Sequence, residues 1–311
     1  MKSSFKKLPG SKIEVTVTLD QKEFLPYYQA AYDAALKGIH LKGFRPGTAP
    51  KEMADAAVDK DAVFNEAARN VVRWSMDEVS KDNEWTIIDA PQVQVEDTKD
   101  LGISYKAVLT IFPEVVLPNY KKIAKKVMAE EKEQKVEAKE IEQTLEWIRN
   151  QRKEGDKVPE LNDEFAKSIG KFENVEELKK SVSEGILAEK NVREHDRLRL
   201  KMLEEIIKES NIDLPEIMVT KTYDSMIKQY AAMLKASGKK EEDVQKEVME
   251  KAKSNVLNNL VMYKLSQAEK LEPTEEEVKA REGSIESDQQ YQYIYGMLQN
   301  EKVFKFLEAQ K

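Results

Sequence analysis

The sequence contains no cysteine. Disulfides, thiolate metal sites and thiol catalysis are thereby excluded. Histidine is nearly absent as well. With only His40 and His195, zinc or triad chemistry would need carboxylates to complete the set, and the two read instead as a loop residue and a solvated helix residue. Aromatics make up 7% of the chain, with 11 glycines and 10 prolines in 311 residues, a balance of long solvated helices rather than of a sandwich or an α/β enzyme. No run approaches the ~18 apolar residues of a membrane-spanning helix. Met1-Lys2-Ser3-Ser4-Phe5 is not followed by the apolar stretch of a signal peptide. A soluble cytoplasmic protein without a membrane partner or a cofactor is expected.

What the chain has in quantity is charge: 35% of its residues, summing to -7. That balance argues against indiscriminate binding to nucleic acid, so any contact with a polyanion should be local. One window reverses the sign. Ala34 to Lys51 holds Lys37, Lys42, Arg45 and Lys51 and no acid, and at its centre stands Gly43-Phe44-Arg45-Pro46-Gly47-Thr48-Ala49-Pro50. Two glycines free to take positive φ, two prolines that fix φ, and an aromatic beside an arginine make a rigid, protruding loop suited to an anionic partner. Composition alone leaves open that the loop is merely a connection. Gly38 and Gly43 have phosphate-loop spacing, but Phe44 and Arg45 replace the required Lys and Ser/Thr, so ATP binding is not expected.

Ile13, Val15, Val17 and Leu19 alternate with polar residues, the period of a half-buried strand. Asp20 and Glu23 have capping-box spacing at the start of a helix. A second helical stretch starts at Pro50 and carries Val63, Ala67, Val71 and Val79 at helical period. Thr86–Ile88, Gln92–Glu96 and Ile103–Phe112 are rich in β-formers, and a small antiparallel sheet with the first strand is predicted. From Glu137 onward the pattern is helical, with Asn174/Glu177 and Thr274/Glu277 at capping spacing. The expected fold class is α+β: a small N-terminal antiparallel sheet with helices, then an all-α domain.

In the helical part, Val219, Tyr223, Met226, Tyr230 and Met233 step by four and three along one helix face. Val244, Val248, Ala252, Val256, Leu260 and Tyr263 make a comparable face across Gly238. The two faces either pack together as a hairpin core or, at their edges, present adaptable Met and Tyr side chains to partners. Tyr291, Tyr293, Ile294, Tyr295 and Met297 pose the same alternative. The acidic clusters Glu130-Glu131-Glu133 and Glu275-Glu276-Glu277 are interleaved or flanked with lysine and read as solvated surface rather than a cation site.

The pattern G-F-R-x-G-x-x-P resembles the signature loop of trigger factor, the bacterial chaperone of the ribosomal tunnel exit. Phe112-Pro113-Glu114-Val115-Val116-Leu117 resembles the end of that family's ribosome-binding domain, and the order of helices after Val158 resembles its chaperone domain. The resemblance implies a ribosome-binding domain over 1–118, a linker with a helix over 119–157 and an elongated, helical polypeptide-binding domain with arms over 158–311. It also implies that Phe44 wedges into a surface pocket and that Arg45 pairs with a carboxylate or rRNA phosphate, with Lys42, Gly43, Pro46 and Gly47 completing the contact. Pro46 and Thr48 stand where many relatives carry lysine, which implies weaker, less salt-dependent docking. The partners so implied are the ribosome and nascent or unfolded polypeptides, the latter held by Tyr223, Met226, Tyr230, Met233, Tyr293 and Met297; self-association as a homodimer stays open. Between Trp147 and Val158 there is no room for the peptidyl-prolyl isomerase domain that most trigger factors carry. The expected function is therefore that of an ATP-independent, non-enzymatic holding chaperone. The alternatives are a prolyl isomerase and a ribosome-independent holdase or assembly chaperone.

Overall fold

The computed structural model describes residues 1–41, 44, 50–97, 102–153, 157–236, 241–282, 285 and 287–310. The chain divides into two compact units. Met1–Val116 with Ile212–Leu257 forms the first and Leu117–Asn211 with Asn258–Lys311 the second.

The first unit is built on a four-stranded antiparallel sheet of β1 (Lys2–Leu8), β2 (Lys12–Leu19), β3 (Gln92–Asp97) and β4 (Ile103–Thr110), in the order β1-β2-β4-β3. The register sets Ile13, Val15, Val17 and Leu19 opposite Leu109, Ala107, Tyr105 and Ile103. Directly opposed residues of an antiparallel pair share a face, so these eight side chains, each at most 2% exposed, form one apolar surface. Helices α1 (Gln21–Gly38) and α3 (Lys60–Asp82) lie against it with Phe24, Val63, Ala67, Val71, Met76 and Val79. The opposite face carries Lys12, Glu14, Thr16 and Thr18 of β2, as one-sided antiparallel sheets require.

Local chemistry sets the ends of these elements. The Asp20 carboxylate accepts from Glu23 N and Glu23 accepts from Asp20 N, a complete capping box at the start of α1. The single helical stretch expected from Pro50 is in fact two helices, α2 (Lys51–Ala57) and α3, because the Asp59 carboxylate accepts from Asp61 N and Ala62 N and starts a new helix there. Strand β1 had no counterpart in the sequence analysis. Its residues lack apolar alternation and are nearly all exposed, so it is held by pairing with β2 rather than by burial. The hairpin between them turns at Gly10 (φ 77°) and Ser11 (φ 51°), and both backbone N–H groups donate to the Asp213 carboxylate, at 2.8 and 2.6 Å.

The second unit is helical: α4 (Tyr120–Met128), α5 (Ala138–Gln151), α6 (Asp163–Ile169), α7 (Val175–Glu209), α10 (Glu275–Glu282) and α11 (Asp288–Glu308). Helix α8 (Glu216–Ala236) belongs to the first unit, and α9 (Glu241–Ala268) runs from the first into the second. The expected caps are present: Asn174 accepts from Glu177 N, and Thr274 and Glu277 exchange hydrogen bonds. Leu145 of α5, Phe165 and Ala166 of α6 and Leu178 of α7 make a small core. Tyr120 donates to Glu269 at 2.5 Å, while Lys121 reaches the same carboxylate at 2.8 Å and stands 5.3 Å from the Phe306 ring centroid. Burial and the neighbouring carboxylate push the Tyr120 phenol up to about 12.

One buried polar chain crosses the core of the first unit. Ser75 and Tyr105 are both 0% exposed. The Ser75 hydroxyl donates to Val71 O at 2.6 Å, leaving its oxygen to accept from the Tyr105 phenol, also at 2.6 Å. Burial raises the phenol's pKa, so it stays a neutral donor. The two ends of this chain are not equivalent. Ser75→Ala strands a buried O–H and is expected to cost ~1–3 kcal/mol, whereas Tyr105→Phe leaves Ser75 still bonded to Val71 and should cost about 1 kcal/mol or less. Urea denaturation of both variants checks the order; an equal or reversed cost refutes the assignment of donors.

Candidate functional site

The acid-free window begins in the last turn of α1, where Lys37 lies, and ends at Lys51 of α2. Within it, Phe44 is 40% exposed, and its N–H donates to Leu41 O at 3.1 Å. An apolar ring is therefore presented at the surface just beyond a helix whose other side is fixed in the core by Phe24 and Ala31. Lys42, Gly43, Arg45, Pro46 and Gly47 lie outside the described residues.

The helical stripe divides. On α9, Val244, Val248, Ala252, Val256 and Leu260 are at most 4% exposed and belong to cores. Tyr263, at 40%, does not. On α8, Tyr223 and Met226 are half-buried, and Met226 Sδ accepts from Asn255 Nδ2 of α9 at 3.5 Å. These two positions thus sit at the border between packing and surface. Tyr230 and Met233 lie on α8, and their side chains fall outside the described residues.

On α11 the crowded tyrosines separate as helical geometry demands. Tyr291 and Tyr295 stack with ring centroids 6.2 Å apart, both half-buried, while Ile294 is buried. Tyr293 and Met297, one turn apart on another face, are 69% and 40% exposed. They form an exposed pair of one aromatic and one thioether.

Further apolar surface is open that the sequence pattern did not mark. Trp147 on α5 is 62% exposed and Trp74 on α3 is 41% exposed, the latter against Tyr27 at 5.7 Å. Between α5 and α7 runs a groove of about 850 Å³, floored by Ile141, Leu145 and Leu161 and rimmed by charges of both signs, with no aromatic ring in its lining. A groove of about 700 Å³ lies between α3 and β3. An i, i+4 reading finds faces, but it does not reveal which face a neighbour leaves uncovered.

Among the described residues, no group of three or more His, Asp or Glu could hold a metal ion. His40 is exposed and His195 lies 3.6 Å from Glu308. Members of the acidic clusters pair with lysines: Glu130 with Lys201, Glu275 with Lys279, and Glu277 with Lys302 at 2.6 Å. These cations pull the carboxyls of Glu130 and Glu277 below their ordinary range. No described helix is long and apolar enough to cross a membrane.

Comparison with known proteins accounts for nearly all of the chain. Residues 1–148 match the family model "Bacterial trigger factor protein (TF)" and residues 174–311 that of its C-terminus. A trigger factor of Caldicellulosiruptor bescii is 23% identical over 378 aligned positions, covering 90% of this chain and 86% of the relative. Another, of Halothermothrix orenii, is 22% identical over 400, covering 94% and 92%. Both alignments are longer than the chain itself, so each relative contains sequence with no counterpart here. A solved structure described as "Promiscuous Substrate Recognition in Folding and Assembly Activities of the Trigger Factor Chaperone" shares the fold, with a TM-score of 0.63 and 15% identity, each chain covered in full. The two matched parts adjoin but for residues 149–173, where the peptidyl-prolyl isomerase domain is missing, and the chain belongs to the trigger factor family of chaperones.

Proposed function

We propose that this chaperone docks at the ribosomal tunnel exit through the loop of residues 43–50 and holds nascent or unfolded polypeptide without ATP and without catalysing isomerisation. The functional division is 1–118 for docking, 119–157 as connection and 158–311 for polypeptide; it differs from the division by packing, since Ile212–Leu257 groups with the first unit. The observation that carries the docking reading is Phe44, an exposed apolar ring inside the acid-free basic window of an acidic chain. Desolvating such a ring in a pocket while an adjacent guanidinium meets an anion combines the two features of a strong interface anchor. The exposed pair Tyr293 and Met297 supports the holding reading, because apolar, flexible surface accepts many sequences without specific hydrogen bonds.

Replacing Phe44 and Arg45 by Ala should weaken ribosome co-sedimentation by an order of magnitude or more, since truncating one such anchor commonly costs ~2 kcal/mol. The melting temperature should not change. Undiminished co-sedimentation would remove the loop from the contact.

In the helical surface, Tyr293→Ser and Met297→Ser should lower affinity for an unfolded client at unchanged stability. Tyr223→Ser and Met226→Ser, half-buried against their neighbours, should cost stability as well. Paired measurements of thermal unfolding and client binding separate the classes; if Tyr293→Ser and Met297→Ser leave affinity intact, the holding surface lies elsewhere.

Isomerase activity is expected to be absent, because catalysis of that kind needs a pocket that desolvates the imide, and only residues 149–173 separate the two matched parts. A protease-coupled prolyl peptide assay on purified protein tests this, and turnover that co-purifies with the chain through successive columns would establish the enzyme reading.

A further inference from the structure

The sheet of the first unit ends on one side in β1 and on the other in β3, and the two edges are built differently. β1 reads Lys-Ser-Ser-Phe-Lys-Lys-Leu. Lysines on an edge strand repel an approaching strand, the usual protection of a natural edge. β3 reads Gln-Val-Gln-Val-Glu-Asp, with neither lysine nor proline. Among the described residues it pairs with β4 alone. One row of its backbone N–H and C=O groups therefore has no strand to bond to.

The side chains make the same edge receptive. Val93 and Val95 lie opposite Ala107 and Tyr105, so they project onto the face that the helices cover. Yet they are 40% and 45% exposed. The cover stops short of the edge and leaves the groove of about 700 Å³, floored by Val72, Met76 and Ile87. Its wall is one face of α3, bearing Arg69, Arg73 and Asp77 at successive turns. Arg69 makes an exposed pair with Glu66 at 3.7 Å, a contact of little energy, and its Nε donates at 3.4 Å to Asn65 O one turn back. Along the groove the wall charges thus run positive, positive, negative.

We infer that the open edge of β3 and the groove behind it bind an extended polypeptide segment by strand addition. Each feature matches one property of such a segment. The free backbone row accepts main-chain hydrogen bonds; the valines, spaced by two, accept apolar side chains at alternate positions; the arginines favour an acidic residue at one end and Asp77 a basic one at the other. The occupant is an unfolded stretch of client chain, and the inference rests on the reading that this protein holds unfolded polypeptide. It adds a site outside the helical surface proposed above, with a preference for extended over helical segments.

The test uses the full chain and a ten-residue probe peptide with valine at alternate positions, glutamate at one end and lysine at the other. Hydrogen exchange should slow at the outward amides of residues 92–95 when the probe is saturating. Val93→Lys/Val95→Lys should weaken probe binding about tenfold or more, because charge in the groove and on the edge opposes strand addition. Both valines are half exposed, so the variant should melt with the wild type; should it not, Arg69→Glu/Arg73→Glu, which alters only exposed side chains, must lower affinity for the same probe. N-methylation of alternate probe amides should abolish binding at this site. Unchanged exchange over 92–95, or undiminished binding of the N-methylated probe, overturns the proposal. Concentration-dependent dimerisation that Val93→Lys/Val95→Lys abolishes also overturns it, assigning the edge to a second copy of the chain. Suppression of aggregation of an unfolded protein is measured on the same samples. If suppression persists while 92–95 are unprotected, the strand-addition site fails and the holding function stands; if suppression itself is lacking in the wild type, the holding function fails.

Discussion

Eight apolar side chains, four from β2 and four from β4, meet in register on one face of a sheet whose other face is polar. That face cannot be left to water: each fully buried aliphatic side chain is worth ~1.5–3 kcal/mol of transfer free energy. Two helices cover it, and their placement determines what the first unit can present. Helix α1 is held by Phe24 and Ala31, so the chain leaves its C-terminal end at a defined point and Phe44 emerges on a fixed base. Helix α3 is held by Val63, Ala67, Val71 and Met76, and because a single helix is about 10 Å wide it cannot also reach across β3. The position of Phe44 and the apolar groove both follow from how these two helices pack.

The helical unit obeys a different economy of forces. Many of its charges lie on exposed turns three or four residues from a partner, as with Lys179 and Glu176 or Lys305 and Glu301, and such pairs contribute little to stability. Cohesion comes from small cores, such as that of Leu145, Phe165 and Leu178, and from a few half-buried polar contacts. Lys121 serves two roles in one of them. It pairs with Glu269 and lies near the rings of Tyr120 and Phe306, so a cation next to two aromatic rings also keeps Glu269 ionised. Cores this small leave apolar residues such as Leu200 and Val192 of α7 at the surface, 60% and 59% exposed.

Much of this was legible in the residues. Period-two alternation marked β2, enrichment in β-formers marked β3 and β4, and capping chemistry marked the starts of α1, α7 and α10, because these signals are local and need no knowledge of neighbours. β1 escaped detection for the opposite reason: it is held mainly by pairing with β2 and by the contact of Phe5 with Trp85, and its own sequence lacks the pattern. The break between α2 and α3 escaped because Asp59 is an ordinary helix residue until its carboxylate turns to cap. At the candidate sites, the exposure of Phe44 followed from composition. The division of the tyrosines on α11 followed from helical geometry, although which of them faces water depends on packing. The run Gln92–Glu96 marked Val93 and Val95 as strand residues only; that they stand exposed at the sheet edge follows from the limited span of α3.

The region around residues 149–173 shows why the helical unit stands without the missing domain. Arg149 of α5 donates through Nε to Pro159 O at 2.6 Å, so within the unmatched stretch the chain is tied directly back to the helix it has just left. Asn162 then caps α6, and the Asp163 carboxylate accepts from Val175 N at the first turn of α7. These contacts are polar and directional, while beneath them Ile141, Leu145 and Ile148 of α5 meet Phe165, Ile169 and Leu178. Every described partner in this joint comes from α5, α6, α7 and the short segments that join them. Because none of the burial that orders α5 against α7 is supplied by an intervening domain, its absence removes no part of this core.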